Sequence, residues 1–236
     1  MAEKLTILMY HKIEPLHAGA QVPGHYVDPA TFRKQMAVLR RFGYRSVRLA
    51  DAVTQPLPKR PVVISFDDGY RNFQTNALPV LKEYGFGSTV FLVSEQIGGD
   101  NRWDVLEGDV SESLMNQEEI AACIREGVEF GSHSSSHARL TQVDQSLAWS
   151  EISDSKSSLE AKFRIPITTF CYPYGAQNEQ TRRMVEKAGY VCACSTDKGI
   201  NDSTTDRFAL RRINVRRDTM VAGFVMKLWR AKLLGR

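Results

Sequence analysis

Seven short apolar runs recur along the chain, at 5–10, 44–49, 61–66, 88–93, 128–131, 167–172 and 190–195, with helical patterns between them. This alternation is the strongest constraint on the fold. Short apolar strands joined by helices cannot pair as hairpins. They form a parallel sheet whose faces the helices cover. Helix signals support the reading. Asp28-Pro29 supplies an N-cap and a first-turn proline, Phe32, Met36, Leu39 and Phe42 follow at helical spacing, and Gly43 stops the run. Asn116 and Glu119 read as a capping pair ahead of a short helix over 120–125. Helical patterns also cover 75–84, 144–163 and 178–188. With about seven units and no low-complexity linker, the 236 residues predict one α/β domain over 1–236, a barrel rather than two folds. The longest irregular stretch, 94–113, is expected to form part of a rim.

The charge is unevenly placed. The net value is +4, but the stretch 207–236 carries nine Lys or Arg against Asp218 alone, so it holds +8 and the rest holds −4. Such a mild net bias, with no recognised module, gives little support to nucleic-acid binding. The four cysteines form no CxxC pair, and Cys192 and Cys194 alternate onto one face of a strand, as buried apolar side chains do. No apolar run reaches the ~20 residues of a spanning helix. The start of the chain lacks the apolar region of a signal peptide, so the expected location is cytoplasmic.

Three runs end in polar clusters. Val62–Phe66 leads into Asp67-Asp68-Gly69, and two adjacent carboxylates after a buried strand are costly without partners. The C-terminal end of a barrel strand is where such folds place chemistry. His133 and His137, four apart after the 128–131 run, fit one face of a helical turn and could reach one cation. Two histidines and one carboxylate leave metal positions open for water. Tyr172-Pro173-Tyr174 offers a rigid aromatic wall suited to a sugar face. Each cluster alone also fits a structural turn.

Together these motifs resemble the polysaccharide deacetylases, carbohydrate esterase family 4, also called the NodB-homology family. Ser65-Phe66-Asp67-Asp68-Gly69 matches its Thr-Phe-Asp-Asp-Gly motif, and His133 to His137 matches its His-(Ser/Thr)-x-x-His motif. The resemblance covers nearly the whole chain. It implies a distorted (β/α)7 barrel and a divalent metal, commonly zinc with cobalt, nickel or iron as alternatives, held by Asp68, His133 and His137. It implies Asp67 as general base and the backbone N–H of Tyr174 as part of an oxyanion hole. The implied substrate is an N-acetylated glycan, with Tyr172, Tyr174 and Trp103 as candidate contacts.

Two positions depart from the family. Cys171 occupies the place of the arginine that orients the base, and no histidine follows His137 to act as the acid. With His133 and His137 assigned to metal, His11, His17 and His25 remain, and only His11 directly follows a strand. The Tyr10-His11 pair resembles the start of a permuted subgroup that includes poly-N-acetylglucosamine deacetylases. His11 is therefore the expected acid. Arg212 is the expected replacement for the missing arginine, through a salt bridge to Asp67.

Beyond Asp218 a basic amphipathic helix is expected at about 218–234. Val221, Phe224, Val225, Leu228, Trp229 and Leu233 lie on one half, Lys227 and Arg230 opposite, and Lys232 breaks the pattern. It reads either as the last barrel helix with a solvated basic face or as a helix that docks on an anionic inner leaflet. Docking would make a lipid-linked saccharide a sensible substrate. Three rival functions remain open: hydrolysis of a small non-sugar amide, glycan binding without catalysis, and a non-haem iron oxygenase. Asp67 argues against the second and the β/α alternation against the third.

Overall fold

A computed structural model describes residues 4–234, with side chains described as far as Arg230. Eight parallel strands carry the fold: β1 (Thr6–Tyr10), β2 (Arg45–Ser46), β3 (Pro61–Phe66), β4 (Thr89–Leu92), β5 (Glu129–Ser132), β6 (Thr169–Cys171), β7 (Cys192–Lys198) and β8 (Leu210–Asn214). Seven of them close a ring in the order β1, β3, β4, β5, β6, β7, β8, and β8 pairs back onto β1. The short β2 lies beside the start of β3 only. This is the distorted (β/α)7 barrel.

The ring's members are not the seven apolar runs. The run over 44–49 shrinks to Arg45–Ser46 because Leu49 opens helix α2 (Leu49–Thr54). The Glu129 carboxylate accepts from Leu49 N at 2.6 Å and Ala50 N at 3.0 Å and satisfies donors of that helix start. The seventh ring member is β8, whose Arg-rich sequence carries no apolar alternation.

Helices α1 (Pro29–Arg41), α3 (Leu78–Tyr84), α4 (Arg102–Val105), α5 (Gln117–Arg125), α6 (Gln145–Phe163), α7 (Glu179–Lys187) and α8 (Val221–Leu234) complete the chain. The expected caps are present. Asp28 accepts from Ala30 N and Thr31 N, and Asn116 and Glu119 form a reciprocal capping box.

Strand parity sorts the core into two layers. Ile7, Val63, Phe91, Cys171, Cys192, Cys194 and Leu210 fill the barrel interior. Leu8, Tyr10, Val62, Ile64, Phe66, Phe130, Phe170, Tyr172 and Ile213 face the helices. Among the described residues no helix is long and apolar enough to cross a membrane.

Helix α8 starts three residues later than expected. Phe224 and Leu228 are buried against the layer formed by α1 and β8. Lys227 does not join a solvated basic face. It turns inward, and its Nζ donates to the Asn214 carbonyl at 2.6 Å and Thr219 Oγ1 at 3.0 Å. Trp229 lies on the solvent side, 67% exposed, rather than on the packed half. The side chains of Lys232 and Leu233 lie outside the described residues.

Candidate active site

The parity that fills the barrel also builds the site. Along β3, Val63 points inward, so Ser65 and Asp67 follow it into the C-terminal mouth. The same alternation turns His11, His133, Cys171 and Arg212 inward from β1, β5, β6 and β8.

Arg212 is buried, and its guanidinium is fully engaged. Nη1 donates to Asp67 Oδ1 at 2.7 Å and Nη2 to Asp67 Oδ2 at 2.8 Å, a parallel fork. Nε donates to the Ser195 carbonyl at 2.8 Å, Nη1 also to Ser65 Oγ at 3.3 Å, and Nη2 also to Cys171 Sγ at 3.1 Å. Burial alone would raise the Asp67 carboxyl. The Arg212 charge and hydrogen bonds overcome it and hold Asp67 below its usual value. Asp67 is thus ionised and aimed. Cys171, at the position expected for an arginine, supports the arginine that reaches in from β8.

Asp68 would point to the outer face by parity, but its φ of 73° turns it back across the mouth. Its Oδ1 lies 3.4 Å from His133 Nε2 and 3.4 Å from His137 Nε2. Ligands at the 2.0–2.2 Å bond lengths of zinc in a tetrahedral shell stand roughly 3.3–3.5 Å apart, so the three donors are spaced for one cation. His133 Nδ1 is 2.7 Å from the Cys171 carbonyl. That acceptor fixes the proton on Nδ1 and leaves the Nε2 lone pair free for a metal.

The His133–His137 segment is not a helical turn. Ser134 and His137 take φ of 66° and 68°. Serines lock the loop instead: Ser132 Oγ accepts from Ser134 N, and Ser134 Oγ accepts from His137 N. Glu151 on α6 accepts from Ser135 N, Ser136 N and Ser136 Oγ. Among the described residues, Asp68, Ser134, His137 and Tyr174 make four of the six non-glycine positions with positive φ. Each costs about 1–3 kcal/mol, so backbone strain is concentrated at this mouth. Gly69 is required beside them, because a Cβ there would stand 2.7 Å from Leu92 Cδ2 at a φ of +78°.

His11 Nε2 lies 3.8 Å from Asp67 Oδ2, the oxygen that also accepts from Arg212 Nη2. Burial pushes its imidazole below the ordinary value, and Asp67 and Asp68 offset part of that. Trp103, on α4 in the 94–113 rim, stacks on His137 with centroids 4.3 Å apart and planes at 22°. One indole face is therefore committed to His137. The Tyr174 ring meets His137 edge-on at 4.6 Å, and the Arg139 guanidinium lies 3.5 Å over its centroid.

Tyr172 is a correction. It forms no wall at the mouth, because parity sends it outward with Phe170 into the helix-facing core, where its hydroxyl donates to the Phe208 carbonyl at 3.0 Å. Arg139 and His25 reach the site although the sequence reading did not select them. His25 stacks on His11. Neither sits in a periodic pattern that marks it.

The family model for polysaccharide deacetylase matches residues 54–193. The Bacillus subtilis (strain 168) protein YxkH, which bears the family's name, is 31% identical over 219 residues, covering 90% of this chain and 71% of its own. A Staphylococcus aureus poly-beta-1,6-N-acetyl-D-glucosamine N-deacetylase is 22% identical over 208 residues, covering 82% of this chain and 69% of its own. The solved Streptococcus pyogenes deacetylase PplD superimposes with a TM-score of 0.81 at 21% identity, over 96% of this chain and 99% of that one, which shows the shared fold. With a family model spanning more than half its length and a relative above 30% identity, the chain belongs to the polysaccharide deacetylases.

Proposed function

We propose that this protein is a metal-dependent N-deacetylase that hydrolyses the acetamide of an N-acetylated amino sugar, in a polysaccharide or a lipid-linked glycan. The observation that carries the proposal is the pairing at the barrel mouth. One carboxylate, Asp67, is gripped by Arg212 at 2.7 and 2.8 Å, and its neighbour Asp68 stands 3.4 Å from two histidine nitrogens. The first arrangement suits a base and the second a cation site.

Asp68, His133 and His137 would hold the metal, zinc first. When bound, such an ion polarises the acetamide carbonyl and acidifies a water. Asp67 takes the proton of the attacking water. Arg212 keeps that carboxylate ionised before the reaction and fixes its plane. The backbone N–H of Tyr174 would serve the oxyanion hole, a role the family resemblance implies, and its positive φ supports a specialised turn there. His11 gives a proton to the departing amine as the C–N bond breaks, so the products are acetate and a free amino sugar. Trp103 and Tyr174 line the cleft beside His137. The Staphylococcus aureus relative, named for its action on poly-beta-1,6-N-acetyl-D-glucosamine, supports an N-acetylglucosamine polymer as the first substrate to try.

The test is acetate release from poly-N-acetylglucosamine oligomers and from a lipid-linked N-acetylhexosamine. Chelator should abolish release and added zinc restore it, and Asp67→Asn should lower turnover by about 10³-fold. Release that survives both chelation and Asp67→Asn would sink the reading.

A second reading concerns location. Met220, Met226 and Trp229 are 60%, 49% and 67% exposed, alongside exposed Arg216, Arg217 and Arg230. Apolar side chains among cations support contact with an anionic leaflet. Vesicles rich in phosphatidylglycerol should sediment the wild type, and Met226→Ser with Trp229→Ser should weaken that several-fold. Equal sedimentation of both would remove this reading.

A further inference from the structure

His25 has no part in the chemistry above, yet it occupies the site. Its position follows from a local backbone pairing. Lys12 N donates to the His25 carbonyl at 3.0 Å, Val27 N donates to the Lys12 carbonyl at 2.8 Å, and Lys12 and Tyr26 form a parallel bridge. That register sets His11 and His25 side by side. Their rings stack with centroids 3.9 Å apart and planes at 6°. The turn Pro23–His25 is held from outside as well: Gly24 sits so close under the Arg216 guanidinium that a Cβ there would stand 2.6 Å from Arg216 Cζ. His25 Nδ1 is buried with no hydrogen-bond partner. The ring meets the site through its face, against His11.

We infer that His25 is a positioning residue for His11, a flat partner that fixes the plane of the His11 ring and keeps Nε2 aimed at Asp67 and the scissile amide. This rests on the reading of His11 as proton donor. Two stacked imidazoles at this distance cannot both carry charge. Burial, and then His11, drive His25 down to about 3, so it stays neutral. The groups that act on His11 are Asp67 and Asp68 at the end of β3, which favour its charge, and Arg212 on β8 and His133 on β5, which oppose it. Those that act on His25 are His11, Asp68, Lys12 and Asp67. The neutral ring of His25 adds cover rather than charge.

The experiment compares His25→Ala, His25→Phe and His11→Ala in the zinc-loaded full chain, with melting midpoint and bound zinc measured for each. His25→Phe keeps a flat ring and should hold kcat within about threefold of wild type. His25→Ala should lower kcat about tenfold with little change in KM, since the donor loses its alignment while substrate binding stays. Its alkaline limb should also move to higher pH, because opening one face of His11 relaxes the burial that depresses it. A merely structural role would not move that limb and would not be rescued by phenylalanine. Equal losses in both His25 variants, or wild-type kcat with an unmoved limb in His25→Ala, would overturn the inference. Wild-type turnover in His11→Ala would instead overturn the reading of His11, whatever the His25 variants do.

Discussion

Two buried cations organise the mouth of this barrel, and they do it differently. Arg212 sits inside the ring with its donors divided among Asp67, Ser65, Ser195 and Cys171 at 2.7–3.3 Å. Lys12 sits outside the ring under the 94–113 rim, equally buried, with one hydrogen bond to Tyr26 Oη at 3.2 Å. Its carboxylate neighbours, Asp109 and Glu112, stay 3.9 Å away, and the Tyr26 and Tyr70 ring centroids lie at 4.6 and 4.8 Å. A guanidinium fork dictates the plane of the carboxylate it meets. An ammonium is a compact charge with no preferred plane. The protein therefore uses arginine where a carboxylate must be aimed and lysine where loops must be gathered. The gathering is broad: Glu112 also meets His17 Nδ1 at 2.9 Å and accepts from Tyr26 Oη at 2.6 Å. Glu14, His17 and Glu112 bring three donor atoms within 4.8 Å, but the Lys12 ammonium beside Glu112 already supplies the positive charge that a cation would bring.

Removing the fork should produce the largest effect. Arg212→Ala leaves Asp67 buried and unpaired, with an expected loss of about 3–5 kcal/mol of stability and turnover reduced at least about 10²-fold. Arg212→Lys separates charge from geometry. It should recover part of the stability in denaturant melts but little turnover, and wild-type turnover in this variant would dissolve the contrast. Lys12→Met should be smaller and opposite in kind. It removes the buried positive charge beside Asp109 and Glu112 and should cost up to about 3 kcal/mol, while turnover per folded molecule changes less than about tenfold.

The smallest effect is a pH dependence. Burial, and then the neighbouring Glu112, raise Glu14 from about 4.5 to about 7. A carboxyl raised on folding favours the folded state while protonated. Its contribution is complete below about pH 4.5 and is lost as pH climbs through about 7. Glu14→Gln should flatten the melting midpoint across that window, and an unchanged slope would place the effect elsewhere.

The legible part of the molecule is the part written in strand parity. Asp67 and His133 lie in register with inward apolar residues, so the apolar runs carried them into view. Arg212 is legible only through the family resemblance, because Cys171 takes the place of the arginine that would orient the carboxylate. Tyr172 is deceptive in sequence because an aromatic pair around Pro173 suggests a wall, whereas its parity, next to inward Cys171, sends it into the helix-facing core. The serine-locked loop between His133 and His137 was read as a helical turn because an i, i+4 spacing does not distinguish a helix from a loop of left-handed residues. β8 escaped notice because its inward face carries an arginine instead of an apolar side chain. His25 depends on a single backbone bridge between Lys12 and Tyr26, and such a contact has no periodic signature.

The closure of β8 onto β1 also bears on how the protein is made. Asp67 emerges early in synthesis, and His11 earlier still, but the strand that carries Arg212 and seals the ring comes more than a hundred residues after Asp67. A growing chain can hold Asp68, His133, His137 and His11 while Asp67 lacks its clamp and the ring one of its seven strands. The grip on Asp67 and the closure of the ring thus arrive together, with β8. A nascent or proteolysed chain ending before 210 would carry every motif that names the family and none of the grip that aims the Asp67 carboxylate.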